Sequence, residues 1–308
     1  MVEKLSGPTE SATKPSPSSD VSIDERWVTI DGARMRYLYA GSGPPLILLH
    51  GLLGYSFSWR FTIPALAGHA TLYAPDMFGA GFSDRPAELD CTFQGIARRV
   101  LAFADKLGIS SYDLLGTSHG GAVAMTAAAL DAGQARIRSL ILVAPVNPWS
   151  SHGKRLTHFL SGELESRLFL SIVPRAKFAH NCVLRRLYGD PNRIPPGTLE
   201  GYSRPFEKPG GLEYGLRIVS TWKEDLENLE ASLPKIRNIP TLIIWGALDR
   251  AVDPASAGIL QTCFQDHRVN IFEGVGHLPY EEAPARFNQA IADFLYRRHV
   301  ESQMRGSV

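Results

Sequence analysis

The chain has 308 residues, 44% of them hydrophobic and 20% charged, enough apolar material for a sizeable core in one large domain or two. Its 32 basic and 31 acidic residues leave a formal charge of +1 without long blocks of either sign, which excludes an electrostatic footprint for nucleic acid or an anionic membrane and leaves a small molecule as the expected partner. Three scattered cysteines, Cys91, Cys182 and Cys263, suggest neither a disulfide framework nor a metal site, and a reducing compartment fits them.

The opening residues Met1 to Pro8 carry no apolar signal region, and no run approaches the roughly 18 consecutive apolar residues of a membrane span, so a cytoplasmic protein is expected. Residues 1–22 are Ser, Pro, Thr and Lys with almost nothing to bury and read as a disordered tail. From Glu25 the pattern alternates, turns at Asp31-Gly32 and resumes from Met35 to Tyr39, a hairpin signature. Leu46 to Leu49 is a continuous apolar run, the mark of a strand covered on both faces, and it ends in His50-Gly51-Leu52-Leu53-Gly54. Thr71 to Pro75 is another strand. The Asp76 to Pro86 stretch after it reads as a polar turn that caps its own backbone, so its carboxylates and arginine are left out of the chemistry.

Phe93 to Leu107 has the spacing of a one-faced helix ended by Gly108. A short strand then runs into Gly116-Thr117-Ser118-His119-Gly120, a G-x-S-x-G elbow followed by an alanine-rich helix. So tight a strand-to-helix turn strains the serine backbone, and side chains two residues to either side would collide. The backbone N–H of His119, in the first turn of that helix, is placed to receive a developing oxyanion. The N–H of Leu52, with Leu53 as its neighbouring alternative, is the second expected donor.

Ser139 to Ala144 is the next buried strand, so strands and helices alternate as in a parallel sheet after an antiparallel start. Asn147 to about Leu233 breaks that rhythm with helix-length pieces at Thr157 to Ile172, Ala176 to Tyr188 and Leu212 to Leu229, and reads as an all-helical insertion. The sheet returns at Pro240 to Gly246 and Val269 to Phe272, and a helix from Pro284 to Arg297 closes the chain, with a short tail from 301 to 308.

A serine hydroxyl needs a base, and the base needs an orienting acid. Of nine histidines, His277 alone follows a strand in a glycine-flanked loop late in the chain. Asp249, directly after a buried strand, is the leading acid, and Asp253 is kept in reserve. The expected catalytic set is Ser118, Asp249 and His277, with Leu52 and His119 at the oxyanion hole. Leu53, Trp149, Phe159, Trp222, Leu278 and Tyr280 are the expected pocket residues. No cofactor is called for.

On these landmarks, together with Asp76-Met77-Phe78-Gly79-Ala80-Gly81, Trp245 to Asp249 and Gly276-His277, the chain from about 25 to 298 resembles the α/β-hydrolase superfamily, in its serine-nucleophile, capped, carboxylesterase-like branch. The resemblance implies an eight-stranded, mostly parallel sheet flanked by helices, with a helical cap inserted after the sixth strand. The core would comprise residues 23–146 and 234–300, the cap 147–233, and the molecule would be a monomer or homodimer. It also implies a carboxylic ester hydrolase working through an acyl-enzyme. Similar capped proteins that open epoxides or displace halide carry aspartate at the elbow. A C–C hydrolase of the meta-cleavage-product type and a non-catalytic small-molecule receptor on the same fold are the alternatives.

Overall fold

The computed structural model describes residues 21–152 and 177–305. Its strands are β1 (Asp24–Ile30), β2 (Ala33–Gly41), β3 (Pro45–Leu49), β4 (Thr71–Pro75), β5 (Tyr112–Thr117), β6 (Ile137–Val143), β7 (Thr241–Gly246) and β8 (His267–Phe272). They form one eight-stranded sheet in the order β1-β2-β4-β3-β5-β6-β7-β8. β2 pairs antiparallel with β1 and β4, and every other pair is parallel. The apolar runs read from the sequence are therefore the sheet, and the parallel strands bring the loops after β3, β5, β7 and β8 to a single carboxyl edge.

Strand alternation divides the core between the two faces. Ile47 and Leu49 face one cluster with Leu114, Leu140 and Leu142, whereas Leu46 and Leu48 face the other with Leu115, Ile141 and Val143. The first face is covered by α2 (Phe93–Lys106) and α3 (His119–Asp131), the second by α1 (Ile63–Leu66) and the long closing helix. α3 is buried on nearly every side, and its small alanines let it lie close to the sheet. α2 starts at Thr92, whose hydroxyl accepts the Gly95 N–H at 3.0 Å.

Between β6 and β7 the described residues form only helical elements: α4 (Lys177–Leu187), α5 (Thr198–Ser203) and α6 (Gly211–Ser232), with short 3-10 turns between them. The expected helix over 157–172 and the pocket residue Phe159 lie outside the described residues, as do residues 1–20 of the expected tail. Val21 already packs against the core. After β7 come α7 (Ala257–Leu260), α8 (Pro279–Glu282) and α9 (Pro284–Arg305). α9 outruns the expected helix end at Arg297 and takes up residues 301–305, which had read as tail.

Arg85 explains how the helical segment is fastened. Its guanidinium donates to the carbonyls of Gly81, Pro205, Lys208 and Pro209 at 2.6 to 3.1 Å, joining the loop after β4 to the stretch before α6.

Close backbone packing at the carboxyl edge carries a stability prediction. A Cβ at Gly120 would sit 2.4 Å from the His50 carbonyl oxygen, whereas one at Gly258 in α7 would meet nothing within 4 Å. Gly120→Ala should lose about 1–3 kcal/mol in urea unfolding, and Gly258→Ala should gain up to about 1 kcal/mol from helix propensity.

Candidate active site

Ser118 joins β5 to α3 with φ 53° and ψ −121°, a left-handed region that a side-chain-bearing residue occupies at a cost of about 1–3 kcal/mol. Its neighbours show why the strain persists. A Cβ at Gly116 would fall 2.2 Å from the Gly120 carbonyl oxygen, so the turn closes only when position 116 lacks a side chain, and one at Gly120 would strike the carbonyls of His50 and Leu49 at 2.4 and 2.6 Å. The Ser118 N–H donates to Val143 O at 2.9 Å and its carbonyl accepts from Val146 N–H at 3.0 Å, which pins the turn to the end of β6. As first residue of α3, His119 has a backbone N–H with no intrahelical acceptor.

β3 pairs with β5, so the loop after β3 lies beside this turn. A Cβ at Gly51 would be 3.2 Å from Ser118 Cβ, which measures how tightly the two backbones pass. His50 is 2% exposed and ties the loop at both ring nitrogens: Nε2 accepts the Met77 N–H at 3.0 Å, and Nδ1 donates to Gly51 O at 2.8 Å. Gly54 N–H also donates to Gly51 O at 3.0 Å. In a trans peptide the C=O and N–H point in opposite directions, so anchoring Gly51 O towards His50 turns the Leu52 N–H away from it. Leu53 takes φ 58°, and its side chain lies on the bare backbone of Gly215 in α6.

Asp249 and His277 come together as a pair. His277 Nδ1 lies 2.7 Å from Asp249 Oδ2, with the carboxylate wholly buried. Trp245 Nε1 donates to the same oxygen at 3.1 Å, while Oδ1 takes the N–H groups of Ala251 at 2.7 Å and Val252 at 3.0 Å. A carboxylate only accepts, so Nδ1 carries the proton and Nε2 is the ring nitrogen left over. The reserve acid is placed elsewhere: Asp253 caps a short turn through Ala255 N–H at 3.0 Å and takes the Ser151 hydroxyl at 2.5 Å. The Ser151 bond, then that of Ala255, holds its carboxyl below the usual range.

Among the described residues no hydrogen bond links the Ser118 hydroxyl to His277. Tyr280, just beyond His277, packs its ring against Trp59 and Phe287. Catalytic contacts are often long before substrate binds.

A narrow cavity, which neither Ser118 nor His277 lines, adjoins the loop after β3. Leu52, Leu53 and His119 line it together with Met77, Tyr214 and Ile218. Burial, with His50 close by, drives the His119 imidazole down to about 3, so it lines the cavity as a neutral ring. Burial likewise lowers His50. Trp222 stacks on His119 at 6.4 Å and 12° behind that wall. Trp149 packs against the first core cluster, and Leu278 and Tyr280 are buried in the second. These three expected pocket positions thus pack into the core clusters, and none of them lines this cavity. The roles of Trp245 and His50 in holding Asp249 and Gly51 were not visible in the sequence, although Trp245 at four residues before the acid is the kind of donor to look for.

A family profile described as "alpha/beta hydrolase fold" matches residues 44–163. Over 286 residues the chain is 29% identical to haloalkane dehalogenase 2 of Mycobacterium tuberculosis, covering 88% of this chain and 94% of that one. It is 27% identical over 279 residues to 2-hydroxymuconate semialdehyde hydrolase of Pseudomonas sp., covering 88% and 93%. Among solved structures, the epoxide hydrolase CorEH superposes with a TM-score of 0.78 at 25% identity over 90% of this chain and 99% of its own. With the strand order, the elbow after β5 and the acid and histidine after β7 and β8, these likenesses give the chain the α/β-hydrolase fold.

Proposed function

We propose that the protein is a serine hydrolase that cleaves a carboxylic ester of a small, largely apolar molecule through an acyl-enzyme. The observation that carries the reading is the pairing of a strained, glycine-flanked Ser118 with a buried His277–Asp249 couple at the same sheet edge. His277 Nε2 takes the Ser118 proton as Oγ attacks the carbonyl carbon, and the N–H groups of Leu52 and His119 hold the resulting oxyanion. The imidazolium then gives its proton to the departing alcohol. Water, deprotonated by the same nitrogen, splits the acyl ester and returns Ser118.

The nucleophile separates this chain from the dehalogenase and epoxide hydrolase it resembles. Displacement at an alkyl carbon by serine would leave an ether with no carbonyl for water to attack, whereas attack on a carbonyl leaves an ester that turns over. The segment 147–233 serves as the cap, and its α6 supplies Tyr214, Gly215 and Ile218 to the cavity wall. The mainly apolar lining supports an apolar substrate. A second reading, C–C bond hydrolysis on the same triad, draws support from the likeness to 2-hydroxymuconate semialdehyde hydrolase. Leu278 after the histidine and the His50-Gly51-Leu52-Leu53-Gly54-Tyr55 loop depart from the pattern of that group and count against it. A panel of p-nitrophenyl esters of rising acyl length, with an aromatic dienone included, separates the two, and binding without turnover would favour a receptor.

Ser118→Ala should lower kcat/KM on the best ester by at least about a thousandfold and abolish labelling by a fluorophosphonate probe; persistent labelling would remove Ser118 from the mechanism. Asp249→Asn should cost about ten-thousandfold, and Asp253→Asn less than about tenfold, with the opposite ranking moving the acid role. On the acid side kcat/KM should fall along a single-proton limb as the base is protonated. That limb should survive in His119→Gln, because the His119 imidazole already sits near 3; its disappearance would reassign it to His119.

A further inference from the structure

Glu282 is a wholly buried carboxylate for which the hydrolytic scheme has no use. Its Oε2 accepts the N–H groups of Gly276 at 2.8 Å and Gly189 at 2.9 Å, and its Oε1 accepts that of Asp190 at 2.9 Å and Arg193 Nη1 at 3.3 Å. Gly276 is the residue before His277. Gly189 and Asp190 follow α4 in the helical segment between β6 and β7. One carboxylate oxygen thus bonds the base loop and that segment at once.

The same two pieces are also joined directly, because the His277 N–H donates to Leu187 O at 2.7 Å. No slack remains between them. A Cβ at Gly276 would lie 2.4 Å from both Gly189 N and Leu187 O, and on the other side one at Gly246 would lie 2.0 Å from Gly276 O. The neighbouring Glu281 carboxylate has different partners, the Arg60 guanidinium at 2.5 and 2.6 Å and the hydroxyls of Tyr188 at 2.7 Å and of Tyr202, and bonds neither Gly276 nor His277. Desolvating a carboxylate costs several kcal/mol, a penalty that charge-assisted bonds from three backbone N–H groups and a guanidinium offset. A hydrophobic residue would fill the space without that expense, so the arrangement calls for a reason in what it holds.

We propose that Glu282 is a positioning residue for the base: it locks Gly276-His277 against residues 187–190, so that the imidazole is aligned only while the helical segment is docked. This rests on His277 acting as the base. A shift of the loop by about 1 Å is enough to cost on the order of a hundredfold in rate.

The test is a double-mutant cycle on the full-length protein with p-nitrophenyl butyrate. Glu282→Ala should lower kcat by about tenfold to a hundredfold with KM within about threefold, and the same change in a His277→Ala background should leave the residual rate within about twofold. Glu282→Gln should fall in between, since its single carbonyl oxygen can still serve Gly189 and Gly276 while its NH₂ opposes the Asp190 N–H. If Glu282→Ala does not fold, Glu282→Gln in the two backgrounds carries the test. A loss of equal size in both backgrounds, or an unchanged kcat in the folded variants, would overturn the proposal. Full activity in His277→Ala alone would instead overturn the assignment of the base.

Discussion

Backbone pressed against backbone at the carboxyl edge of the sheet is the constraint on which the rest of the molecule depends. At the elbow, Gly116 meets the Gly120 carbonyl and Gly120 meets that of His50; at the far side, Gly246 meets the Gly276 carbonyl and Gly276 meets Gly189. Each contact is closer than any Cβ allows. The glycines therefore do more than permit turns, since they let separate loops approach until their peptide groups, rather than flexible side chains, set the distances. A reacting centre that needs sub-ångström placement is best built from such parts.

Buried carboxylates then hold these loops where contact alone would let them slide. Asp249 accepts from Trp245, Ala251, Val252 and His277, and Asp76 accepts from Ser56 N–H at 2.8 Å, Phe82 N–H at 3.0 Å and Arg36 at 3.0 Å. Glu282 does the same for the histidine loop. Most of their donors are backbone N–H groups in loops, groups that would otherwise be buried without a partner in the water-poor rim of the sheet. A carboxylate can take several such donors at once, which a serine or an amide cannot, so acidic residues recur here in structural roles beside the one that faces His277.

This recurrence bears on how far the sequence could be read. Strand identity was legible because buried parallel strands write continuous apolar runs, and the elbow because Gly116, Ser118 and Gly120 must be neighbours in the chain. Asp249 and His277 were legible because each follows a strand directly. Glu282 was not, since its partners Gly189 and Asp190 lie far off in sequence and Glu281-Glu282 before a closing helix reads as an ordinary solvated pair. Leu278 and Trp149, expected in the pocket, pack with opposite core clusters, because the sequence does not say which face of the sheet a loop side chain will take. The end of α9 was misplaced because Tyr296 to Arg305 is too polar to show a buried stripe, yet its backbone continues the helix.

The relatives share the scaffold but are named for different chemistries. The 29% identity with a haloalkane dehalogenase extends over 88% of this chain and 94% of that one. The side chain at position 118 points out of the turn that the glycines create. The fold thus fixes where residue 118 stands and leaves its identity open, and in the proposed mechanism a serine there favours attack on a carbonyl over displacement at an alkyl carbon. Burial strips the charge from the neighbouring His119, so its imidazole joins the cavity wall as a neutral ring.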